Sequence, residues 1–421
     1  MRTLLVLSPW FPYPADNGSR IRIFHLIREL SATFHLRLVT GVQSDSPAET
    51  PPELAALCES VVRVPWVWHD GRAGGPLSAL RALVSPTPRS ILETPNPAIV
   101  AAVAAEIARA PDAVLVCELG MDAYLPALPP GLPAFLEGAE ISGFDRAFRT
   151  ASGIRDRVRH GLTRAKGARY WRRAFRRYRA ITAASAEEAQ ALRDVAGLDG
   201  PAVVVIPNGA DVAAYTPRAA ADAVPGRLIY NGALTYGPNR DAVAYFAESI
   251  LPLIARSVPD AHLIVTGRFS EETLTGILPN PRIQLTGYLT DLRPTLATAT
   301  VCVVPLRSGG GTRLKIIEAW AAGIPVVSTA VGAAGLEGAE PGEHILLADE
   351  PSAFADAVLS LLRAPDTASR LARNARALAE ARYGWPAIGD LLTQRIAGES
   401  PAKAASSGGS PPGDTGKNAL Q

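Results

Sequence analysis

Ser308–Thr329 constrains this chain more than any other stretch. It holds three successive glycines (Gly309, Gly310, Gly311), then Thr312, Arg313, Leu314 and Lys315, then Glu318, and it closes on Gly323, Pro325 and the apolar pair Val326-Val327. The glycines leave the backbone uncrowded, the apolar spacing predicts a short helix with Arg313 and Lys315 in its first turn, and Gly323 and Pro325 end that helix before a strand begins. Val301–Val304 just upstream reads as another strand. Strand, loop, helix, strand in so few residues is the repeat unit of a parallel α/β sheet. A helix N-terminus with free N–H groups, glycine access and two cations is a site for a diphosphate, and a carboxylate one turn on can hold a sugar diol. Together these are the parts of a nucleotide-sugar pocket.

The alternation runs through the whole chain. Leu4–Ser8, Phe34–Thr40, Ser60–Val64, Ala113–Cys117, Ala134–Leu136, Ile181–Ser185 and Val203–Ile206 are strand candidates in the first half, with a helix predicted over Ser19–Leu30 whose face carries Ile21, Phe24 and Ile27. A second series follows from Arg227: strands at Leu228–Tyr230, His262–Thr266, Ile283–Leu285, Val301–Val304 and Pro325–Ser328, with helices between and after them. Continuous rather than alternating hydrophobicity indicates parallel strands covered on both faces. At 421 residues the chain exceeds one ordinary core. The expectation is α/β: two doubly wound domains facing each other across a cleft, with ligands at the carboxyl ends of the strands.

Several classes are disfavoured. The formal charge of +2 lacks the basic excess of a nucleic-acid binder, and the three cysteines (Cys58, Cys117, Cys302) have no metal-ligand or redox spacing. No Asp-x-Asp motif occurs, and the six histidines do not cluster, so no metal or other cofactor is expected. The start of the chain is too short in its apolar run for a signal peptide, no spanning helix is expected, and scattered thiols fit a cytoplasmic setting. The run 155–179 holds 11 Lys/Arg with Tyr170, Trp171, Phe175 and Tyr178 among them. It reads either as a solvated amphipathic helix or as an electrostatic contact with an anionic acceptor or, peripherally, with anionic lipid on the inner face of a membrane. From 398 to 421 the composition is that of a disordered tail.

Four motifs, in order and spacing, resemble the family 4 (group 1) glycosyltransferases. They are Ala184–Ala189 followed by Val205–Asp211, then Tyr230–Asn239, Thr286–Asp291 and Gly309–Glu318. The resemblance implies the GT-B fold, with a first, acceptor-side Rossmann-like domain over 1–205, completed by 386–397 crossing back, and a nucleotide-sugar-binding domain over 206–385. It further implies a metal-independent, retaining hexosyl transfer from a nucleotide diphosphate sugar (UDP- or GDP-linked) to an unknown, possibly lipid-linked acceptor, in bacterial polysaccharide, glycolipid or glycoconjugate synthesis. Arg313 and Lys315, at positions often uncharged elsewhere in the family, are expected with Glu318 to carry catalysis. Gly18, Gly232, Gly287, Tyr288, Leu289, Gly309, Gly310, Gly311 and Thr312 join them in binding the donor, and Asn17 and Arg20 meet the acceptor.

Two departures from the pattern bear on this. Gly310 stands where the family has a first glutamate, with seven residues between it and the second, and Ala233 and Asn239 replace the family's Arg and Lys in the first loop of the second domain. The expectation is that Arg313 and Lys315 supply the missing cations from the facing helix. The family's first-domain histidine also has no counterpart; Glu137, Glu140 and Asp145 are candidate bases, and the leaving phosphate can itself take the acceptor proton. Two other classes stay open: a sugar-nucleotide epimerase of the same fold, and a catalytically degenerate partner subunit.

Overall fold

β1 (Arg2–Ser8) shows how the first sheet forms: Leu4 and Val6 enter one apolar cluster, Leu5 and Leu7 another, and all four are at most 1 % exposed. Successive side chains point to opposite faces of a strand, so a run with both faces apolar has to be covered on both. The computed structural model describes residues 1–15, 17–66, 85, 87–88, 91, 96–197, 200–219, 222–274, 277, 279–309 and 313–398. The expected tail beyond Gly398, as well as Gly310, Gly311 and Thr312, falls outside them.

Among the described residues, the first sheet contains β1, β2 (Phe34–Val42), β3 (Ser60–Pro65), β4 (Ala113–Cys117), β5 (Ala134–Glu137), β6 (Ala180–Ala183) and β7 (Ala202–Val205) in the order β3-β2-β1-β4-β5-β6-β7. The second contains β8 (Arg227–Asn231), β9 (His262–Thr266), β10 (Ile283–Gly287), β11 (Val301–Val304), β12 (Val326–Ser328) and β13 (Leu346–Leu347) in the order β10-β9-β8-β11-β12-β13. Every pairing is parallel. In each sheet the order reverses once, between β1 and β4 and between β8 and β11. Loops leaving two such strands diverge to opposite faces and open a crevice at the carboxyl edge.

Among the helices that border these crevices are α1 (Gly18–Ser31), α2 (Ser142–Arg149), α3 (Ile154–Ala174), α4 (Leu314–Ala321) and α5 (Trp385–Ala397). The buried face of α1 is Ile23, Leu26, Ile27 and Leu30, which corrects the expected face of Ile21, Phe24 and Ile27. The reason is a second partner. α5 returns from the end of the second sheet and packs on the other side of α1, where His25 stacks on Trp385 with ring centroids 4.8 Å apart. Burial lowers the His25 pKa to about 4, so the stacked ring is neutral. Trp385, Ile388, Leu392 and Ile396 belong to the same core cluster as Leu4 and Val6.

The strand leaving β7 and the segment entering α5 run side by side, with Ala210 N donating to Tyr383 O at 2.9 Å. Arg22 anchors this crossing. Its guanidinium donates to Ile206 O, Pro207 O and Asn208 Oδ1, each at 2.9 Å, and also pairs with buried Glu137, Nε to Oε1 at 2.8 Å.

The α1–α5 contact leaves no room at Gly389, where an added Cβ would stand 2.2 Å from the Glu29 Cβ. Gly389→Ala is expected to destabilise the protein by about 1–3 kcal/mol, read as a lowered Tm. An unchanged Tm would mean that α5 does not seat on α1.

Candidate functional site: the crevice of the second sheet

α4 owes its position to burial. Ile316, Ile317, Ala319, Trp320 and Ala321 are all fully buried, and Gly323, at φ +67°, ends the helix before β12. The helix starts at Leu314, so Arg313 is the residue that precedes the first turn and not, as the spacing suggested, a member of it. Lys315 and Glu318, three residues apart, share the face that looks toward the end of β8.

Lys315 is the centre of the site. Its Nζ donates to Tyr230 Oη at 2.7 Å and to Asn239 Oδ1 at 2.8 Å, and lies 4.0 Å from the centroid of the Tyr230 ring. Tyr230 Oη in turn donates to Asn239 Oδ1 at 2.7 Å, and Asn239 Nδ2 to Ala233 O at 2.9 Å. The ammonium therefore reaches Asn239, in the loop where the cation pattern departs from the family. Gly232 leaves room for this cluster, since a Cβ there would stand 2.9 Å from Nζ and 2.7 Å from Asn239 Nδ2 and would displace both. Burial, reinforced by the nearby Arg313 charge, lowers the Lys315 pKa to about 7. Arg313 itself is 7 % exposed, and Gly309, at φ +112°, passes close to its guanidinium.

Glu318 is held one turn further on. Its Oε2 accepts from Asn231 Nδ2 at 2.7 Å, its carboxylate also accepts from Tyr215, and Asn231 Oδ1 is fixed by Thr266 Oγ1 at 2.9 Å. Burial raises the Glu318 pKa to about 7 against these hydrogen bonds. Glu318 borders a cleft cavity of ≈ 550 Å³ that Tyr288, Leu289 and Thr266 line from the second sheet and Ile21 and His25 from α1. Gly287, at φ +74°, turns the chain at the end of β10 so that Tyr288 stands half exposed beside this cavity.

A second cavity, of ≈ 480 Å³, lies at the crevice of the first sheet. Gly18 and Ser19 border it from the start of α1, and an added Cβ at Gly18 would meet nothing within 4 Å. Opposite them is Glu118, directly after β4. It is a non-glycine residue at φ 63°, ψ 151°, and its carboxylate accepts from Trp10 Nε1 at 3.0 Å and from the Ser19 hydroxyl. Burial raises its pKa. A left-handed backbone carries strain for such a residue, and strain of this kind gathers at functional sites. Glu118 was missed in the sequence because no motif marks it; its burial and backbone single it out only in three dimensions.

Other expected site residues have different work. Asn17 caps α1, Oδ1 accepting from Arg20 N at 3.1 Å, and Arg20 is 2 % exposed and paired with Asp45 at 2.7 Å. These contacts give both residues a part in the scaffold of α1. Among the candidate bases, Glu137 is committed to Arg22, and Asp145 is paired on exposed α2 with Arg149 and Arg164. Glu140 borders the first cavity.

Two parallel doubly wound sheets, each with a crevice at its switch point, define the GT-B architecture. The same arrangement occurs in sucrose-phosphate synthase from Thermosynechococcus elongatus (TM-score 0.66, 19 % identity, 94 % of this chain and 99 % of that one). It also occurs in Anabaena HepE in complex with UDP and glucose (TM-score 0.60, 15 % identity, 94 % and 100 %). Residues 225–364 match the family model for glycosyl transferases group 1. The chain thus has the GT-B fold, and its second domain is similar, over residues 225–364, to the group 1 glycosyl transferases.

Curated relatives are similar over less of their length. A phosphatidyl-myo-inositol mannosyltransferase of Mycobacterium leprae is 30 % identical over 204 residues, 46 % of this chain and 53 % of that protein. A GDP-mannose-dependent monoacylated alpha-(1-6)-phosphatidylinositol monomannoside mannosyltransferase of Corynebacterium glutamicum is 25 % identical over 218 residues, 46 % and 56 %. The matches span about half the length of these relatives.

The lowered Lys315 pKa has a measurable sign. Above about pH 7 the empty site holds a largely neutral amine; a diphosphate beside it favours the ammonium, so binding takes up a proton and affinity falls as pH rises from 7 toward 10. Calorimetry of UDP or GDP binding at pH 8, in buffers of different ionisation heat, should show this uptake in the wild type and its loss in Lys315→Met.

Proposed function

We propose that the protein is a retaining glycosyltransferase that moves a hexosyl group from a nucleotide diphosphate sugar to an acceptor hydroxyl, in the synthesis of a cell-surface polysaccharide, glycolipid or glycoconjugate. The observation that carries this reading is the convergence of Lys315, Asn231 and Glu318 on the crevice of the second sheet, beside a cleft large enough for a nucleotide. Glu318 accepts from the ribose diol, backbone groups of Gly287, Tyr288 and Leu289 meet the base, and Lys315 with Arg313 and the N-terminus of α4 meets the diphosphate. Gly309, Gly310, Gly311 and Thr312 complete the phosphate loop.

Transfer breaks the bond from the anomeric carbon to the phosphate oxygen and forms the bond to the acceptor oxygen on the same face. Negative charge grows on the departing diphosphate, and fixed cations with a helix N-terminus stabilise it without a metal ion. Removing one donor of this kind costs roughly 2.7–4 kcal/mol of barrier. The acceptor enters the first-sheet cavity, where Glu118 receives the proton of the attacking hydroxyl. Burial raises its pKa, which makes it a stronger proton acceptor than an ordinary carboxylate.

The relatives' names mention phosphatidylinositol and GDP-mannose, and HepE was seen with UDP. The acceptor proposed is accordingly lipid-linked, met on the cytoplasmic face of a membrane, and both UDP and GDP are candidate donor nucleotides. Among the described residues no helix is long and apolar enough to cross a membrane, so the contact proposed is peripheral.

A panel of UDP- and GDP-sugars, scored first by calorimetry and then by release of the nucleotide, tests the reading. Binding of one nucleotide with micromolar Kd is expected, and its loss by at least about tenfold in Lys315→Ala and Arg313→Ala; absence of any nucleotide binding would end the proposal. Glu118→Gln should keep that Kd while lowering kcat by about 10²–10⁴-fold, the range of a general base.

A further inference from the structure

The aromatic residues interleaved with the cations of 155–179 are not what this segment shows to solvent. Trp171, Phe175 and Tyr178 are at most 4 % exposed and belong to the core beneath the first sheet. A different set is exposed. Ile154, Val158 and Leu162, at 86 %, 57 % and 47 %, recur every fourth residue and so form one stripe along the first half of α3. Such a stripe has no function in a solvated helix, where those positions are ordinarily polar.

Cations border the stripe on both sides. Arg155 and Arg159 flank it on one edge, Arg157 and Arg164 on the other, and all four are exposed. Arg157 and Arg164 are steadied by the Phe148 ring of α2, at 6.0 and 5.8 Å. The acidic counterweight is small. α3 contains eight Arg/Lys against the single Asp156, which pairs with Arg159 at 3.2 Å, and Asp145 of α2 pairs with Arg164.

α3 is anchored beside and behind the stripe: Gly161, on the Arg157 and Arg164 edge, lies against Phe148, and Trp171, on the far side, meets Phe144 with ring centroids 4.9 Å apart. α2 and α3 thus form an antiparallel arm, fixed at its Trp171 end and carrying the stripe toward its free end. Phe144 and Trp171 at the fixed end line the first-sheet cavity. From Trp171 to Val158 is ~20 Å of helix at 1.5 Å per residue.

We infer that the first half of α3 is a membrane-docking helix, with Ile154, Val158 and Leu162 entering the acyl boundary of a bilayer while the flanking arginines meet anionic head groups. An apolar line framed by cations is complementary to an anionic lipid surface in both its components, whereas a neutral bilayer would engage the stripe alone and a nucleic acid the arginines alone. Docked in this way, the arm holds the first-sheet cavity within helix reach of the lipid surface. The inference deepens the reading of a lipid-linked acceptor, yet it does not need a donor to be tested.

Flotation of the full chain with vesicles of phosphatidylcholine, with and without phosphatidylglycerol, tests it. Binding is expected to the phosphatidylglycerol vesicles, weaker by at least about tenfold on phosphatidylcholine alone. The triple variant Ile154→Ser, Val158→Ser, Leu162→Ser should lose binding by a similar factor, as should Arg155→Glu with Arg157→Glu. The substituted side chains are exposed, and an unchanged Tm and nucleotide Kd would show the fold intact. Failure of the wild type to float, or equal flotation of the serine variant, overturns the inference. So does a wild-type dimer that the serine variant makes monomeric, since the stripe would then be a contact between two copies. Flotation by a chain that binds no nucleotide would spare this inference and sink the enzymatic reading instead.

Discussion

A cation taken out of water has to be held by dipoles that replace its hydration, and the second sheet is arranged around one such case. Lys315 gives two of its three N–H groups to Tyr230 and Asn239 and rests on the Tyr230 ring. Both partners come from the β8 end of the sheet, while the lysine comes from the helix after β11. The contact therefore spans the point where the strand order reverses. It ties together the two loops that border the crevice, and Glu318 and Asn231 repeat the tie one turn away. Loss of hydration leaves Lys315 with an unusually low proton affinity and Glu318 with an unusually high one, so each is ready to gain from a ligand of suitable charge or hydrogen-bonding capacity.

Most of this was legible in the residues because its determinants are local. Continuous apolar runs at Leu4–Leu7 and Val301–Val304 mark doubly covered strands, and Gly323 with Pro325 marks the end of α4. The order of the motifs around Gly232, Gly287 and Glu318 implied the architecture that the sheets display. The exchange of cations between loop and helix could be argued from Ala233, Asn239 and Lys315 alone; the structure adds that the ammonium reaches the asparagine itself.

The first domain was harder to read because its informative residues depend on distant contacts. Arg20 and Asn17 look like ligand-binding groups beside a glycine, and the structure adds their contacts with Asp45 and the α1 backbone. Glu137 looks like a base, yet Arg22 uses it to hold the crossing between domains. Glu118 looks like nothing at all until its backbone angle and burial are known. The aromatic side chains in the basic run illustrate the same limit: their place among cations could not say whether they met water or the core, and Trp171, Phe175 and Tyr178 are buried.

The position of α5 has a consequence for how the molecule is made. Trp385, Ile388, Leu392 and Ile396 complete the cluster that Leu4 and Val6 begin, so nearly the entire polypeptide separates the earliest and latest contributions to one core. A ribosome releases the amino-terminal layers long before the residues that cover α1. Until then, that helix has an apolar flank with no cover, in a chain that otherwise folds unit by unit. The second domain has no such dependence and can close its own core as it emerges. The first core of this protein thus closes only when α5, made after the second sheet, seals α1.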